Sequence, residues 1–293
     1  MSAPQQKYRL VALDLDGTTL NKAHRITDRT LAILRKLSAR GVVVAIATGR
    51  SSESVFGYAK LLQLEQTMLP MVVFNGSVCL QFDTKTGESR ELFSNPIPPE
   101  ASRLLIALAE REGCVIQLYN GQTGEVFAKP TTDQHIELLE RYEHLVEKRQ
   151  TYVASLESEV FNVTDRFAKA LVLTFDPDAF MAAATSSLPA GMLHMIRGSP
   201  DPFFVEFLRP ESNKGTALAA LCRELGIGLD QAVAMGDGEN DIEMLQTAGL
   251  GVAMLNARPT VKAAAKHVTE FSHDEDGVAQ FLEQLLELGH FAE

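Results

Sequence analysis

The chain has 293 residues, of which 45% are hydrophobic and 22% are charged, and this composition is typical of a soluble globular protein with one or two domains. Its formal net charge of −11 argues against nucleic acid or an anionic membrane surface as a partner, because both attract basic faces. The polar start Met1–Arg9 has no signal-peptide core, no apolar run is long enough to span a membrane, and the three cysteines form no CxxC pair. We therefore expect a cytoplasmic protein with free thiols.

The amino-terminal part of the chain predicts alternating strands and helices. The apolar run Leu10–Leu13 indicates a first strand, and Val42–Ala47 and Met71–Phe74 indicate a second and a third. Between them, helices begin near Thr27, which is a good N-cap residue, and near Ser52. Strands that are apolar throughout are buried on both faces, so this alternation predicts an α/β fold with a doubly wound, parallel, Rossmann-like sheet.

A different pattern begins after the third strand and the hairpin that follows it. Prolines punctuate the chain, and helices and strands of another domain follow, among them the strand Lys169–Phe175. We expect residues 95–198 to form an inserted α+β domain between two core segments, 1–94 and 199–293. The second core segment is predicted to begin with the strand Phe203–Phe207.

The carboxyl-terminal segment continues the core pattern. Ser212 or Asn213 caps a predicted helix that ends at Gly226. The strand Ala232–Met235 follows, and the polar run Gly236–Asp241 comes directly after it. A further strand and an amphipathic last helix complete the predicted core.

Residues able to bind ligands follow four of the predicted core strands. In an open α/β sheet, ligands bind at the carboxyl ends of the strands, so these residues are expected along one edge. Asp14 and Asp16 lie two residues apart on extended backbone, and like charges that close repel unless a cation, a proton or an electrophile lies between them. The candidates are Asp14, Asp16, Thr48, Asn75, Asp237, Asn240 and Asp241, with Lys214 at a helix start.

Each of these signals has a simpler explanation when it is taken alone. The Asn75-Gly76 pair is typical of a turn, and Lys214 taken alone could be an ordinary solvated lysine on the surface. A calcium loop around Gly17 fails because alanines occupy its first and last ligand positions. The run Gly236–Asp241 lacks the last glycine of a dinucleotide loop, and no GxxxxGK[ST] phosphate loop occurs. Each signal alone is therefore weak, and only the order in which they follow one another along the chain is specific.

In that order the residues resemble the four motifs of the haloacid dehalogenase superfamily of aspartate-dependent phosphohydrolases. Asp14-Leu-Asp16-Gly-Thr-Thr19 matches the first motif, Thr48 the second, Lys214 the third and Gly236-Asp237-Gly-Glu-Asn240-Asp241 the fourth. The insertion resembles the α/β cap of the Cof-type branch, and the resemblance covers essentially the whole chain. One departure is that Thr19 stands before Leu20, and we expect it to be harmless.

The resemblance implies a role for each aspartate. Asp14 is the expected nucleophile, which forms an aspartyl phosphate, and Asp16 is the expected general acid and then base. A Mg²⁺ ion is expected on the carboxylates of Asp14 and Asp237 and on the backbone carbonyl of Asp16. Asp241 is expected to support this metal site.

The resemblance also implies how the substrate is held. Thr48 and Lys214 count with the catalytic residues, because they are expected to offset charge on the phosphoryl oxygens in the transition state. The expected substrate-binding residues are Thr48, Gly49, Arg50, Asn75, Gly76, Lys214 and Asn240.

The implied reaction is Mg²⁺-dependent hydrolysis of a small phosphorylated metabolite, with sugar phosphates first. A sugar phosphomutase of the same superfamily is an alternative, because it shares the two aspartates. From a different class, a phospho-accepting receiver domain also uses aspartates, a threonine and a lysine on a parallel sheet. Receivers lack the Asp16 acid and an insertion of about a hundred residues, which is the size of a domain. The sequence leaves the oligomeric state and the particular metabolite open.

Overall fold

The computed structural model describes residues 7–146, 149–161, 166–197 and 203–291. The chain divides into two compact units. The first unit comprises Met1–Phe93 and Asn213–Glu293, and the second unit is the intervening segment Ser94–Ser212. Each unit has its own sheet and its own hydrophobic core.

The described residues form strands and α-helices with the following bounds. The strands are β1 (Leu10–Leu13), β2 (Val43–Ala47), β3 (Met68–Val73), β4 (Val78–Asp83), β5 (Ser89–Ser94), β6 (Val115–Asn120), β7 (Val126–Ala128), β8 (Thr151–Tyr152), β9 (Phe167–Leu173), β10 (His194–Arg197), β11 (Phe204–Leu208), β12 (Ala232–Gly236), β13 (Leu250–Ala253) and β14 (His267–Val268). The helices are α1 (Asp28–Ser38), α2 (Ser52–Leu62), α3 (Pro99–Arg111), α4 (Asp133–Val146), α5 (Pro177–Ser187), α6 (Lys214–Leu225), α7 (Ile242–Thr247), α8 (Pro259–Ala264) and α9 (Gly277–Glu287).

The first unit is built on a sheet with the strand order β14-β13-β12-β1-β2-β3-β4-β5. From β14 to β3 the neighbouring strands are parallel, whereas β4 runs antiparallel to β3. Strand β1 lies between β12 and β2, so that Ala12 is level with Ala234 on one side and with Ala45 on the other. Strands β1 and β12 are buried along their whole length, as a parallel sheet that is covered on both faces requires.

The local sequence explains where the helices of this unit begin and end. Thr27 caps α1, because its side-chain oxygen accepts a hydrogen bond from the Thr30 backbone N–H at 3.2 Å. Asn213 caps α6 in the same way, at 2.8 Å from the Thr216 backbone N, and Gly226 ends that helix in the left-handed conformation. These elements confirm the predicted doubly wound α/β core.

The second unit has a six-stranded sheet with the order β10-β11-β9-β6-β7-β8. Its neighbouring strands are antiparallel, except that β7 and β8 are parallel. Helices α3 and α5 pack on this sheet through an apolar core that includes Leu105, Ile116, Phe180 and Phe207. Helices on a mainly antiparallel sheet confirm the α+β class that was predicted for the insertion.

The second boundary of the insertion lies later in the chain than the sequence predicts. The prediction assigns Phe203–Phe207 to the returning core, whereas β11 pairs with β9 and β10 in the second sheet, with Phe204 level with Leu173. The second unit therefore extends to Ser212 rather than to Gly198, which itself lies outside the described residues. An apolar strand fits the core of either sheet, so its composition does not reveal which sheet it joins.

The cysteines agree with the expectation from composition. Cys79, Cys114 and Cys222 are buried free thiols. Burial raises the pKa of Cys79 to about 12 and that of Cys222 to about 11.

Among the helices within the described ranges, none combines the length and the apolar character that crossing a membrane requires.

Gly76 lies where the segment after β3 meets the start of α6. Its φ is +97°, and a Cβ built there would lie 2.2 Å from the backbone oxygen of Asn213. A side chain at this position would therefore strain the backbone and also overlap the residue that caps α6. Because Lys214 is the next residue after Asn213, this contact also fixes where the lysine approaches the sheet.

Gly76→Ala is expected to destabilise the protein more than the same change at Gly41, whose φ is +81° but whose Cβ would meet nothing within 4 Å. The left-handed backbone costs each alanine about 1–2 kcal/mol. The overlap at position 76 adds a further loss of about 1–3 kcal/mol, the range for overpacked sites. Urea denaturation of the two variants measures the difference. Equal losses would show that α6 moves away from position 76 without cost.

Candidate active site

The carboxyl ends of β12, β1, β2 and β3 lie side by side because these strands are parallel neighbours. Asp14 follows β1, and its backbone N–H donates to the Met235 carbonyl in β12 at 3.0 Å. Thr48 follows β2, and its N–H donates to the Val72 carbonyl in β3 at 2.8 Å. Asp237 follows β12. The sheet order therefore gathers these predicted residues along one edge.

Lys214 provides a buried positive charge at this edge. It is the first residue of α6, and its side chain is fully buried. Its Nζ lies 2.6 Å from Asp14 Oδ1 and 2.6 Å from Asp241 Oδ1. A buried ammonium group needs such partners, because the loss of its hydration is otherwise uncompensated. Lys214 therefore holds carboxylates from two different parts of the chain in fixed positions.

The second oxygen of Asp241 is bound by the backbone. Oδ2 accepts hydrogen bonds from the N–H groups of Asp237 at 3.0 Å and of Gly238 at 2.9 Å. Since Oδ1 already accepts from Lys214, both oxygens have donors. Asp241 is therefore an anchored carboxylate, which is consistent with the supporting role that the resemblance implies.

Asp237 is held by two further side chains. Thr18 Oγ1 donates to Asp237 Oδ1 at 3.1 Å. Asn256 Nδ2 lies 3.3 Å from Asp237 Oδ2 and donates to the Gly17 carbonyl at 2.8 Å. The carboxylate that follows β12 is thus tied to the loop that follows β1.

Crowding raises the pKa values of Asp14 and Asp237. Burial first, and then the neighbouring Asp241, raise the pKa of Asp14 to about 8, although Lys214 opposes the shift. Burial and Asp241 also raise the pKa of Asp237 to about 6. Burial alone lowers the pKa of Lys214, but the two carboxylates reverse this effect and raise it above its ordinary value. Without a cation, Asp14 therefore binds a proton more readily than an ordinary aspartate does.

The donor set fits a divalent metal ion. Asp14, Asp237 and Asp241 each offer a carboxylate oxygen, and these oxygens lie within 4.8 Å of one another. When all three are ionised, they carry more negative charge than the Lys214 ammonium balances. Carboxylate oxygens are the ligands that Mg²⁺ prefers. These three carboxylates are therefore the groups of this site that could hold the ion.

Asp16 has a different environment from Asp14. Arg50 Nε donates to Asp16 Oδ2 at 2.7 Å and Nη2 donates to Oδ1 at 2.5 Å, so the pair is bidentate. The Asp16 side chain is 47% exposed, whereas that of Asp14 is 7% exposed. His24 Nδ1 also lies 3.9 Å from Asp16 Oδ1. A residue that was predicted to bind substrate thus contacts the predicted general acid.

Hydrogen bonds connect three of the residues predicted to bind substrate. Asn240 Nδ2 donates to Asn75 Oδ1 at 2.9 Å, and the Asn75 backbone N–H donates to the Thr48 carbonyl at 3.1 Å. Gly49 leaves room for this arrangement, since a Cβ there would lie 2.7 Å from Asn75 Oδ1. Asn75 itself has a left-handed backbone, with φ of 54°, and Gly76 follows it.

The structure adds three residues to the site. Thr19, treated as a harmless departure in the sequence, donates from Oγ1 to the Asp14 carbonyl at 2.6 Å. Thr18 and Asn256 are not among the predicted candidates. The place of Thr18 directly after Asp16-Gly17 was a usable signal, and Asn256 follows the end of β13 just as the other candidates follow their strands.

The fold and the site define an α/β enzyme with a buried aspartate, a buried lysine and a group of carboxylates that fits a metal ion at the edge of a parallel sheet. A family model described as haloacid dehalogenase-like hydrolase matches residues 11–282. The chain belongs to this family.

Individual relatives agree over nearly the whole chain. The putative phosphatase YxeH of Bacillus subtilis is 29% identical over 282 residues, which are 95% of this chain and 98% of that protein. The 5-amino-6-(5-phospho-D-ribitylamino)uracil phosphatase YitU of Bacillus subtilis is 28% identical over 287 residues, which are 97% of this chain and 100% of that protein. A solved haloacid dehalogenase-like hydrolase from Bacteroides thetaiotaomicron has a TM-score of 0.79 at 26% identity, over 95% of this chain and 100% of that one. The prediction of a phosphatase of this family, in its Cof-type branch, is confirmed.

Asp14 is expected to contribute to the free energy of unfolding of the metal-free protein, and this contribution should fall as the pH rises toward about 8. In this window the folded state keeps a proton on Asp14 that the unfolded chain has already released. Because the unfolded state binds fewer protons, the free energy of unfolding decreases as the pH rises. Asp14→Asn is expected to make this decrease smaller, because it removes the titrating carboxyl group. Thermal unfolding in a chelator across the pH range measures the effect.

Glu88→Gln, in the exposed loop between β4 and β5, is the control and should keep the wild-type pH dependence. The difference between the Asp14→Asn and wild-type curves isolates the buried carboxylate from the other titrating groups. A difference that stays constant with pH would contradict the raised pKa of Asp14.

Proposed function

We propose that the protein is a Mg²⁺-dependent phosphatase that hydrolyses small phosphomonoesters through an aspartyl phosphate on Asp14. The observation that carries this proposal is the buried Asp14 carboxylate at the end of β1, 2.6 Å from Lys214 and clustered with two further aspartates. Family membership and the phosphatase relatives support the reaction type. The roles of the individual residues are part of the proposal.

Asp14 supplies the nucleophile in this mechanism. One of its oxygens attacks phosphorus while the ester O–P bond breaks, and the electron pair of that bond leaves with the ester oxygen. Lys214 places a positive charge beside the attacking carboxylate. Asp16 gives a proton to the departing alcohol and then takes one from the water that hydrolyses the aspartyl phosphate.

Thr48 and the two asparagines hold the phosphoryl group. Thr48 Oγ1 accepts the Arg50 backbone N–H at 3.2 Å, so its own hydroxyl hydrogen can be donated to a phosphoryl oxygen. Asn75 and Asn240, which are joined at 2.9 Å, offer amide groups at the same edge.

The metal site is proposed on the carboxylates of Asp14 and Asp237 and on the backbone carbonyl of Asp16, with Asp241 as anchor. A Mg²⁺ ion bound there would screen the repulsion between the attacking carboxylate and the anionic phosphate. The excess negative charge of the aspartate cluster supports this assignment.

For the substrate we propose small phosphorylated metabolites, with hexose and pentose phosphates first. The net charge of −11 disfavours a polynucleotide, which binds through basic surfaces. The name of YitU describes a substrate whose phosphate is carried by a ribityl chain. A phosphate on such a polyhydroxylated chain is chemically close to a sugar phosphate, and this supports the proposed class.

The purified protein is expected to release phosphate from sugar phosphates in the presence of Mg²⁺, to stop when a chelator is added and to resume when Mg²⁺ is restored. Asp14→Asn is expected to abolish turnover, because a carboxamide is not a competent nucleophile. An assay of released phosphate over a panel of phosphorylated metabolites, near neutral pH, measures these outcomes.

Asp28→Asn, on the exposed side of α1, is a matched control that should retain wild-type turnover. A phosphopeptide and a 5′-phosphorylated oligonucleotide belong in the same panel. Activity that persists in excess chelator would contradict the metal assignment, and near-normal activity of Asp14→Asn would contradict the covalent mechanism. Faster turnover of either macromolecule than of every metabolite would contradict the substrate class.

We also propose that the second unit is the cap domain of this enzyme. The chain leaves the first unit after Phe93 and returns to it at Asn213. Near this junction Asn95 Nδ2 donates to Ser212 Oγ at 3.1 Å, and Ser212 Oγ lies 3.3 Å from the Asn95 carbonyl oxygen. The outgoing and returning segments therefore lie side by side, which is the connection that an inserted domain needs.

Replacing the residues between Asn95 and Ser212 with a short Gly/Ser linker is expected to leave a folded first unit, because these two residues are within hydrogen-bond distance. The shortened protein is expected to lose most of its efficiency on the best metabolite. The shortened protein should keep a larger fraction of its catalytic efficiency on a small aryl phosphate, because such a substrate offers fewer groups for a cap to bind. Circular dichroism checks the fold, and steady-state kinetics compare the substrates. Undiminished efficiency on the metabolite would contradict the cap role.

A further inference from the structure

Both carboxylate oxygens of Asp16 are bound by one guanidinium group. Arg50 Nε lies 2.7 Å from Oδ2 and Arg50 Nη2 lies 2.5 Å from Oδ1. Two parallel hydrogen bonds of this kind add geometric specificity to the attraction of the charges. The pair therefore fixes the orientation of a side chain that is otherwise 47% exposed.

Arg50 is itself held in place through both its backbone and its side chain. Its backbone N–H donates to Thr48 Oγ1 at 3.2 Å, and its carbonyl accepts the Phe74 N–H at 2.9 Å. Its guanidinium carbon lies 5.4 Å from the centroid of the Tyr58 ring in α2, which is within the range of a cation–π contact. The Arg50 backbone is thus bound to the segments that follow β2 and β3, and its guanidinium lies between a helix residue and Asp16.

We propose that Arg50 is a positioning residue for Asp16 and acts on the reaction through that carboxyl group rather than by binding the phosphoryl group. The inference rests on the proposed function and refines it. The family resemblance places Arg50 with the substrate-binding residues, whereas the contacts place it on the general acid.

Asp16 needs a defined position because it transfers a proton in each half of the reaction. In the first half, its carboxylic acid gives a proton to the ester oxygen as the O–P bond breaks, and the bond electrons become a lone pair of the alcohol. In the second half, the carboxylate takes a proton from the attacking water while the bond between Asp14 and phosphorus breaks and phosphate forms. The bidentate pair matches the carboxylate that exists between the two halves, and a protonated carboxyl still accepts one N–H on its carbonyl oxygen.

Without Arg50, the half-exposed Asp16 side chain would populate several rotamers and would lie near the ester oxygen for only part of the time. A misplacement of about 1 Å costs a reacting group about 100-fold in rate. The loss of rate should appear only with substrates whose leaving group needs the proton of Asp16. A residue that bound the phosphoryl group would instead affect all substrates.

The test compares Arg50→Ala with the wild-type protein, loaded with Mg²⁺, on two phosphomonoesters with different leaving groups. An alkyl ester such as a sugar phosphate needs a proton on the departing oxygen, whereas nitrophenyl phosphate does not. We expect kcat/KM to fall about 10- to 100-fold on the alkyl ester and less than about threefold on the aryl ester. Equal losses on both esters would overturn the proposal, because they would mean that Arg50 binds the phosphoryl group that both esters share.

Asp16→Asn supplies the second arm of the test. Its amide has no acidic proton, so kcat/KM on the alkyl ester is expected to fall about 10²–10⁴-fold. In this background Arg50→Ala is expected to cause no further loss, since Arg50 acts only through Asp16. A further loss as large as that in the wild-type background would overturn the proposal.

Arg29→Ala is the matched control. Arg29 also makes a bidentate pair in the first unit, with Nη2 at 2.6 Å from Glu283 Oε2 and Nε at 3.2 Å from Oε1. This variant should leave kcat/KM unchanged on both esters, and a leaving-group difference in it would overturn the assignment to Arg50. A wild-type protein inactive on both esters would overturn the proposed function together with this inference, whereas an active protein with equal losses would overturn the inference alone.

Discussion

The site depends on one buried group of charges, in which the Lys214 ammonium lies 2.6 Å from the carboxylates of both Asp14 and Asp241. Removing a partner from a buried ion pair leaves an uncompensated charge, which costs about 3–5 kcal/mol. The group joins the end of β1, the start of α6 and the turn after β12, three places that are far apart in the sequence. The same contacts therefore fix both the position of Asp14 and the charge that surrounds it.

The core of the fold is more predictable from the sequence than the insertion is. Each core helix carries its own local signals, such as the Asn213 cap and the Gly226 stop of α6, and apolar strands that alternate with helices imply parallel neighbours. In the second unit the deciding contacts join strands remote in sequence, as where Phe204 of β11 lies level with Leu173 of β9. An apolar run indicates that a strand is buried, but the choice of sheet depends on tertiary pairing that the run does not contain.

The residues of the site also divide into those that the sequence predicts and those that it does not. Residues such as Asp14 and Asp237 are predictable because the carboxyl ends of parallel strands form a binding edge in any fold of this class. Applied to β13, the same reasoning would have identified Asn256, which contacts Asp237. The bidentate pair of Asp16 with Arg50 lies beyond such reasoning, because it depends on side-chain directions that spacing does not specify.

Asp14 and Asp16 show how one strand end gives the same type of side chain two chemical environments. Asp14 is 7% exposed beside Lys214, whereas Asp16 is 47% exposed and paired with Arg50. A metal-binding nucleophile benefits from burial, because exclusion of water strengthens its interactions with a cation and with the phosphoryl group. A residue that exchanges protons with an alcohol and then with water needs access to both. The two environments suit these different requirements and so support the division of roles that the family resemblance implies.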